Sequence, residues 1–146
     1  MRFILFLVLL LWSTSSIAED PLKEKHCLEA ILWNEVRGEP DLCKAIVAQV
    51  VWNRVHSDKY PDSYCKVAYQ RRQFENIKPV SYYREKILNT KAGDTIQRVA
   101  SATMKGEFKW LVPEYVLNFI SKGAKGSWIK KMRVHRKCGG HWFLMK

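Results

Sequence analysis

The stretch Leu28-Glu29-Ala30-Ile31-Leu32-Trp33-Asn34-Glu35-Val36-Arg37-Gly38-Glu39-Pro40 carries an apolar helical stripe into a turn. Leu28, Ile31 and Leu32 recur at helical spacing, which predicts a helix from Pro21 to about Arg37, stopped by Gly38 and Pro40. Glu35 stands seven residues after Leu28, four after Ile31 and three after Leu32, so its side chain leaves the helix on the core-facing side. A carboxylate in that position has two readings. It is a buried ion-pair partner of Arg37 or Arg54, or it is an acid kept protonated for chemistry.

Working outward, Leu42, Ile46, Val47, Val50 and Val51 form the inner face of a second helix, Asp41 to about Val55, with Pro40 or Asp41 at its start and Ala45 and Ala48 allowing close approach. The short link makes the pair a helical hairpin, with Glu39 at the same end as Glu35. A shorter helical piece follows, from about Ser63 to Gln70. Arg71 to Tyr83 reads as an irregular loop. Arg84 to about Lys105 then gives one or two helices with Ile87, Ile96, Val99, Ala100 and Met104 inward and Gly106 as the stop. Tyr115 to Ile120 and His141 to Met145 read as short strands, so the expected class is α+β, mainly helical, with a small sheet.

Residues 1–18 open with Arg2, run through the apolar block Phe3 to Trp12 and close on small residues to Ala18, the pattern of a cleaved secretory signal peptide. A retained anchor is the alternative, but the block is about half the roughly twenty residues a membrane span needs. Residues 19–146 are then one exported domain, secreted or periplasmic, with no further span and expected to be a monomer. The chain's net charge of +11, one less without Arg2, suits a large anionic partner. Nucleic acid is the generic partner of such charge, and export argues against it. Anionic wall polymers or lipopolysaccharide fit better. Lys122 to Lys137 holds seven Lys or Arg and no acid; such a run is usually a solvated helix face.

Cys27, Cys43, Cys65 and Cys138 all lie in the exported part, where two disulfides can persist, and four cysteines allow three connectivities. With no CxxC pair and no HExxH among His26, His56, His135 and His141, neither metal nor other cofactor is expected.

Glu35 to Pro40, Val50-Val51-Trp52-Asn53-Arg54-Val55, Val67-Ala68-Tyr69-Gln70 with Gln73-Phe74, and then Val116-Leu117-Asn118-Phe119, Trp128 and Gly139-Gly140-His141-Trp142-Phe143 resemble, in order, the SleB-type cell wall hydrolase family. The resemblance spans nearly the whole exported part. It implies a compact lysozyme-like or lytic transglycosylase-like domain that cleaves peptidoglycan between N-acetylmuramic acid and N-acetylglucosamine. It also implies that Glu35, the first glutamate of an EARGE-type motif, is the catalytic one, and that Cys27 pairs with Cys65, leaving Cys43 with Cys138. The chain departs from the family at Asn118 and Ile120, where relatives often carry histidine or another polar residue.

Glycosidic cleavage needs a proton delivered to a poor leaving group, and burial of Glu35 against the apolar stripe would supply an acid that is still protonated at neutral pH. Glu39 is the second carboxylate of a two-acid hydrolase, or it is a cap for the helix that starts at Asp41. If it only caps, Glu35 works alone and a lytic transglycosylase with a 1,6-anhydro product follows. Tyr69, Gln73, Phe74, Asn118 and Trp128 are candidate sugar contacts, with core packing the alternative for the aromatics, Trp142 included. Arg37, Asn53 and Arg54 are candidates for shaping and supporting the catalytic turn. A cationic wall-binding or antimicrobial module without turnover is the competing class.

Overall fold

A computed structural model describes residues 19–146. Residues 1–18, read above as a signal peptide, lie outside the described residues. Five helices, α1 (Pro21–Val36), α2 (Asp41–Val55), α3 (Tyr64–Ala68), α4 (Val80–Leu88) and α5 (Lys91–Met104), precede three strands, β1 (Asn118–Ser121), β2 (Arg133–Cys138) and β3 (His141–Met145). The strands form one antiparallel sheet in the order β1-β3-β2. The α+β, mainly helical expectation holds.

Asp20 caps α1 by accepting from the Leu22 N–H at 3.0 Å, and Pro21 supplies the fixed φ of the first turn. Leu28, Ile31 and Leu32 are fully buried, because α1 is the central rod and packs against all four other helices. Ile46, Val47, Val50 and Val51 of α2 close the same core, with Ala45 and Ala48 at the close approach. Leu42 differs from the expectation. It is half exposed, because it lies on the outer side of α2 in a shallow apolar groove with Trp110.

The segment expected to be a loop through Tyr83 becomes helical at Val80. Pro79 stands at the N-cap, and Tyr83 and Ile87 turn inward. Gly93 lets α5 cross α4 closely: a Cβ there would stand 1.8 Å from the Ile87 carbonyl oxygen. The basic run from Lys122 to Lys137 is not a helix face. It contains one 3₁₀ turn (Ile129–Lys131) and then β2, an edge strand with His135 bulged out of register between Val134 and Arg136. Charge on an exposed edge discourages pairing with a second chain.

Cys27 is bonded to Cys65, tying α1 to α3, and Cys43 to Cys138, tying α2 to the end of β2. These are the pairs the family resemblance implied. Among the described residues no helix is long and apolar enough to cross a membrane.

Candidate active site

Glu35 lies in the last turn of α1, half-buried, where the apolar stripe meets the surface. Burial raises its pKa above the ordinary carboxylate value. Asn34 and the Arg54 charge pull it down, and the charge of Glu75 pushes it up. The Asn34 amide donates to Glu35 Oε1 at 2.7 Å and to the Glu75 carbonyl at 3.2 Å. Behind it, the Lys78 N–H donates to the Tyr83 hydroxyl at 2.8 Å, and that hydroxyl donates to Asn34 Oδ1 at 3.2 Å. The chain of bonds fixes which way the Asn34 amide faces, and with it which oxygen of Glu35 accepts. Oε2 is left for a proton.

The ion-pair reading of Glu35 fails. Among the described residues Glu35 belongs to no salt bridge. Arg37 points to solvent and donates to the Trp33 carbonyl at 3.3 Å. Arg54 is buried: its Nε donates to the Leu117 carbonyl at 2.7 Å, and its guanidinium lies 5.0 Å from the Tyr60 ring centre and 5.6 Å from those of Phe74 and Phe119. Three aromatic faces hold a cation that is felt at Glu35 but does not neutralise it. Phe74 is therefore packed, and not open to a sugar face.

Glu39 is not a cap. Pro40 is the N-cap of α2 and no side chain bonds there. Glu39 Oε1 instead accepts from the Gly140 N–H at 3.1 Å and sits 3.8 Å from Nδ1 of buried His141, in the tight turn between β2 and β3. Gly139 has φ +53°, and a Cβ on it would stand 1.8 Å from Glu39 Oε2, so only glycine lets the carboxylate seat over the turn. Lys44, itself buried, bonds the Glu39 carbonyl and anchors the loop from below. Burial holds the His141 pKa below its ordinary value against the opposing pull of Glu39, so the pair is not a full ion pair at neutral pH. Glu39→Ala is expected to cost about 1–2 kcal/mol of stability by orphaning the turn, and Glu39→Gln much less, since an amide oxygen can still accept from Gly140. Urea midpoints of the two variants check this.

The other candidates spread out. Asn53 is a structural brace: its amide donates to the carbonyls of Pro113 (2.9 Å) and Val116 (3.1 Å), and its oxygen accepts from Gln49 (2.7 Å). Tyr69 is exposed, with its hydroxyl on the Lys78 carbonyl at 3.1 Å, in the same Tyr69–Pro79 loop as half-buried Gln73. Asn118 accepts from the Tyr60 hydroxyl at 3.3 Å. With Tyr60 and half-exposed Trp128 it lines a cavity of about 860 Å³, which Glu35 does not line. Tyr60 belongs both to the lining of that cavity and to the cage of rings around Arg54, whose charge reaches Glu35. The sequence reading missed Asn34, Tyr60, Glu75 and Phe119. Asn34's adjacency to Glu35 was the one available signal.

The family model described as Cell Wall Hydrolase matches residues 38–144. The chain belongs to the cell wall hydrolase family. The match begins at Gly38, so the second half of the Glu35–Pro40 motif lies inside it and the candidate acid lies three residues before it. Among solved structures, the catalytic domain of the germination-specific lytic transglycosylase SleB from Bacillus anthracis is similar over 87% of this chain and 98% of its own, with a TM-score of 0.66 and 22% identity. The catalytic domain of the Bacillus cereus SleB protein is similar over 84% of this chain and 90% of its own, with a TM-score of 0.63 and 24% identity. At these identities the likeness establishes the family's fold. No curated protein sequence matches.

Proposed function

We propose that this cell wall hydrolase is a peptidoglycan lytic transglycosylase in which Glu35 alone serves as acid and then base. The observation that carries the reading is the half-buried Glu35 carboxyl with Oε1 fixed by Asn34 and its pKa raised, while Glu39 is engaged with the Gly140 turn. Protonated Glu35 donates from Oε2 to the glycosidic oxygen between N-acetylmuramic acid and N-acetylglucosamine as the C1–O bond breaks and positive charge develops at C1. The resulting carboxylate then takes the proton from the muramyl 6-hydroxyl as that oxygen bonds to C1, closing a 1,6-anhydro ring. Arg54, held within range, stabilises the carboxylate between the two steps. The described relative from Bacillus anthracis carries the same activity in its name. On this reading the enzyme acts outside the cytoplasm, after removal of the leader at residues 1–18.

A hydrolytic muramidase is the second reading, and Glu75 rather than Glu39 would be its second carboxylate, since the charge of exposed Glu75 reaches Glu35. Residues 19–146 incubated with purified sacculi are expected to release muropeptides carrying the anhydro mass, about 18 Da lighter than reducing ends, as loss of one water in ring closure requires. Mass spectra with only reducing termini would replace the transglycosylase with the hydrolase. No release at all would remove both.

A further inference from the structure

The cavity of about 860 Å³ beyond the Arg54 cage has a composition the cleavage step does not use. Tyr60, Tyr115 and Trp128 line it as aromatic surface, Tyr115 and Trp128 with much of their area exposed. Lys59, Lys131 and Lys146 also line it, all exposed, and among the described residues none of the three forms an ion pair. No Asp or Glu lines it. A neutral glycan chain offers acceptors but no charge for these three ammonium groups to pair with. A ligand with spaced carboxylates on a partly aliphatic backbone satisfies both the cations and the aromatic surface.

We propose that this cavity seats the stem peptide of the muramyl residue beside the scissile bond, with Lys59 and Lys131 pairing with its carboxylates and Trp128 and Tyr115 packing on its aliphatic parts. The inference rests on Glu35 being the catalytic acid. The charge of Arg54 reaches Glu35 and Arg54 lies over Tyr60, which lines the cavity, so the muramyl sugar at Glu35 is on the cavity's side of the domain. The peptide is attached through the lactyl group of that same sugar, so it has to leave the glycan on one side of Glu35. Among the described residues, Tyr60 and Asn118 line a cavity that reaches the Tyr60 side of Arg54. Specificity follows: glycan bearing peptides is the preferred substrate, and stripped glycan is a poorer one.

Calorimetric titration of the wild-type chain with a disaccharide peptide, and with the same disaccharide after its peptide has been removed, tests this. The peptide-bearing fragment is expected to bind about tenfold tighter, a preference that added salt reduces. Lys59→Gln/Lys131→Gln is expected to erase the preference while leaving binding of the stripped fragment unchanged. Both positions are exposed, so the fold is not at stake. Equal binding of the two fragments by wild type overturns the proposal, as does a preference that survives in the double variant. Displacement of the peptide fragment by poly(glycerol phosphate) at equal charge concentration overturns it in favour of a wall-polymer site. Failure of the catalytic reading is seen separately, as sacculi left uncut by a protein that still binds the peptide-bearing fragment selectively.

Discussion

Glu35→Gln is expected to lower the release of soluble muropeptides by about 10³-fold or more, within the range that a positioned general acid supplies and at the upper end because the same group also acts as base. Glutamine keeps Oε1 as an acceptor, so the 2.7 Å bond from Asn34 survives and the helix end is undisturbed. What disappears is the transferable proton. The sign of the accompanying stability change separates this from a structural lesion. In the folded chain burial raises the Glu35 pKa, whereas the unfolded chain ionises at the ordinary value. Between the two, the unfolded state holds fewer protons, so the wild type loses stability as pH rises through that window. Glu35→Gln has no such loss. It should be as stable as wild type below the ordinary carboxylate range and equal or more stable at neutral pH. Wild-type activity should likewise fall as pH rises through the raised pKa, because the acid form is consumed. Turbidity clearing and thermal melts across pH measure both. Retained clearing by a folded Glu35→Gln chain would refute the assignment, and a melt lowered at neutral pH would show that Glu35 is instead part of the framework.

Legibility in the sequence followed the range of the interactions involved. Helices α1 and α2 were readable because their inner faces repeat within each helix, and burial of Leu28, Ile31, Leu32, Ile46 and Val50 follows from period alone. Glu35 on the stripe was readable for the same reason. Strand β2 was not, since an edge strand needs no apolar alternation and its Arg, His and Lys residues imitate a solvated helix. Start of α4 was hidden because Tyr82 and Tyr83 suggested a loop, while the deciding partners of Tyr83, Asn34 and Lys78, come from two other segments. The capping reading of Glu39 was locally reasonable. Its true partner, Gly140, is 101 residues away in sequence and no local rule reaches that far. The position of Arg54 near the end of α2 marks it as a support for the turn, but the three rings that hold it converge only in the folded chain.

Removing the Cys43–Cys138 bridge by replacing both residues with serine is expected to cost about 4.7 kcal/mol, the loop-closure entropy of a cross-link spanning 95 residues. For a domain of this size that is a large share of the total stability. The consequence should extend to activity, because this bond and the Glu39–Gly140 contact both tie the β2–β3 turn to the start of α2. Strand β3 pairs Phe143 with Phe119, and Phe119 is one wall of the Arg54 cage beside Glu35. A freed turn therefore loosens the cage from the far side of the sheet. Cys27–Cys65 spans only 38 residues and joins α1 to α3 without touching the sheet, so its removal should lower stability by a comparable but smaller amount and leave the folded fraction active. Denaturation midpoints together with clearing rates measured well below each midpoint distinguish the two bridges. Equal specific activity of both folded variants would mean that the β2–β3 turn does not position the site.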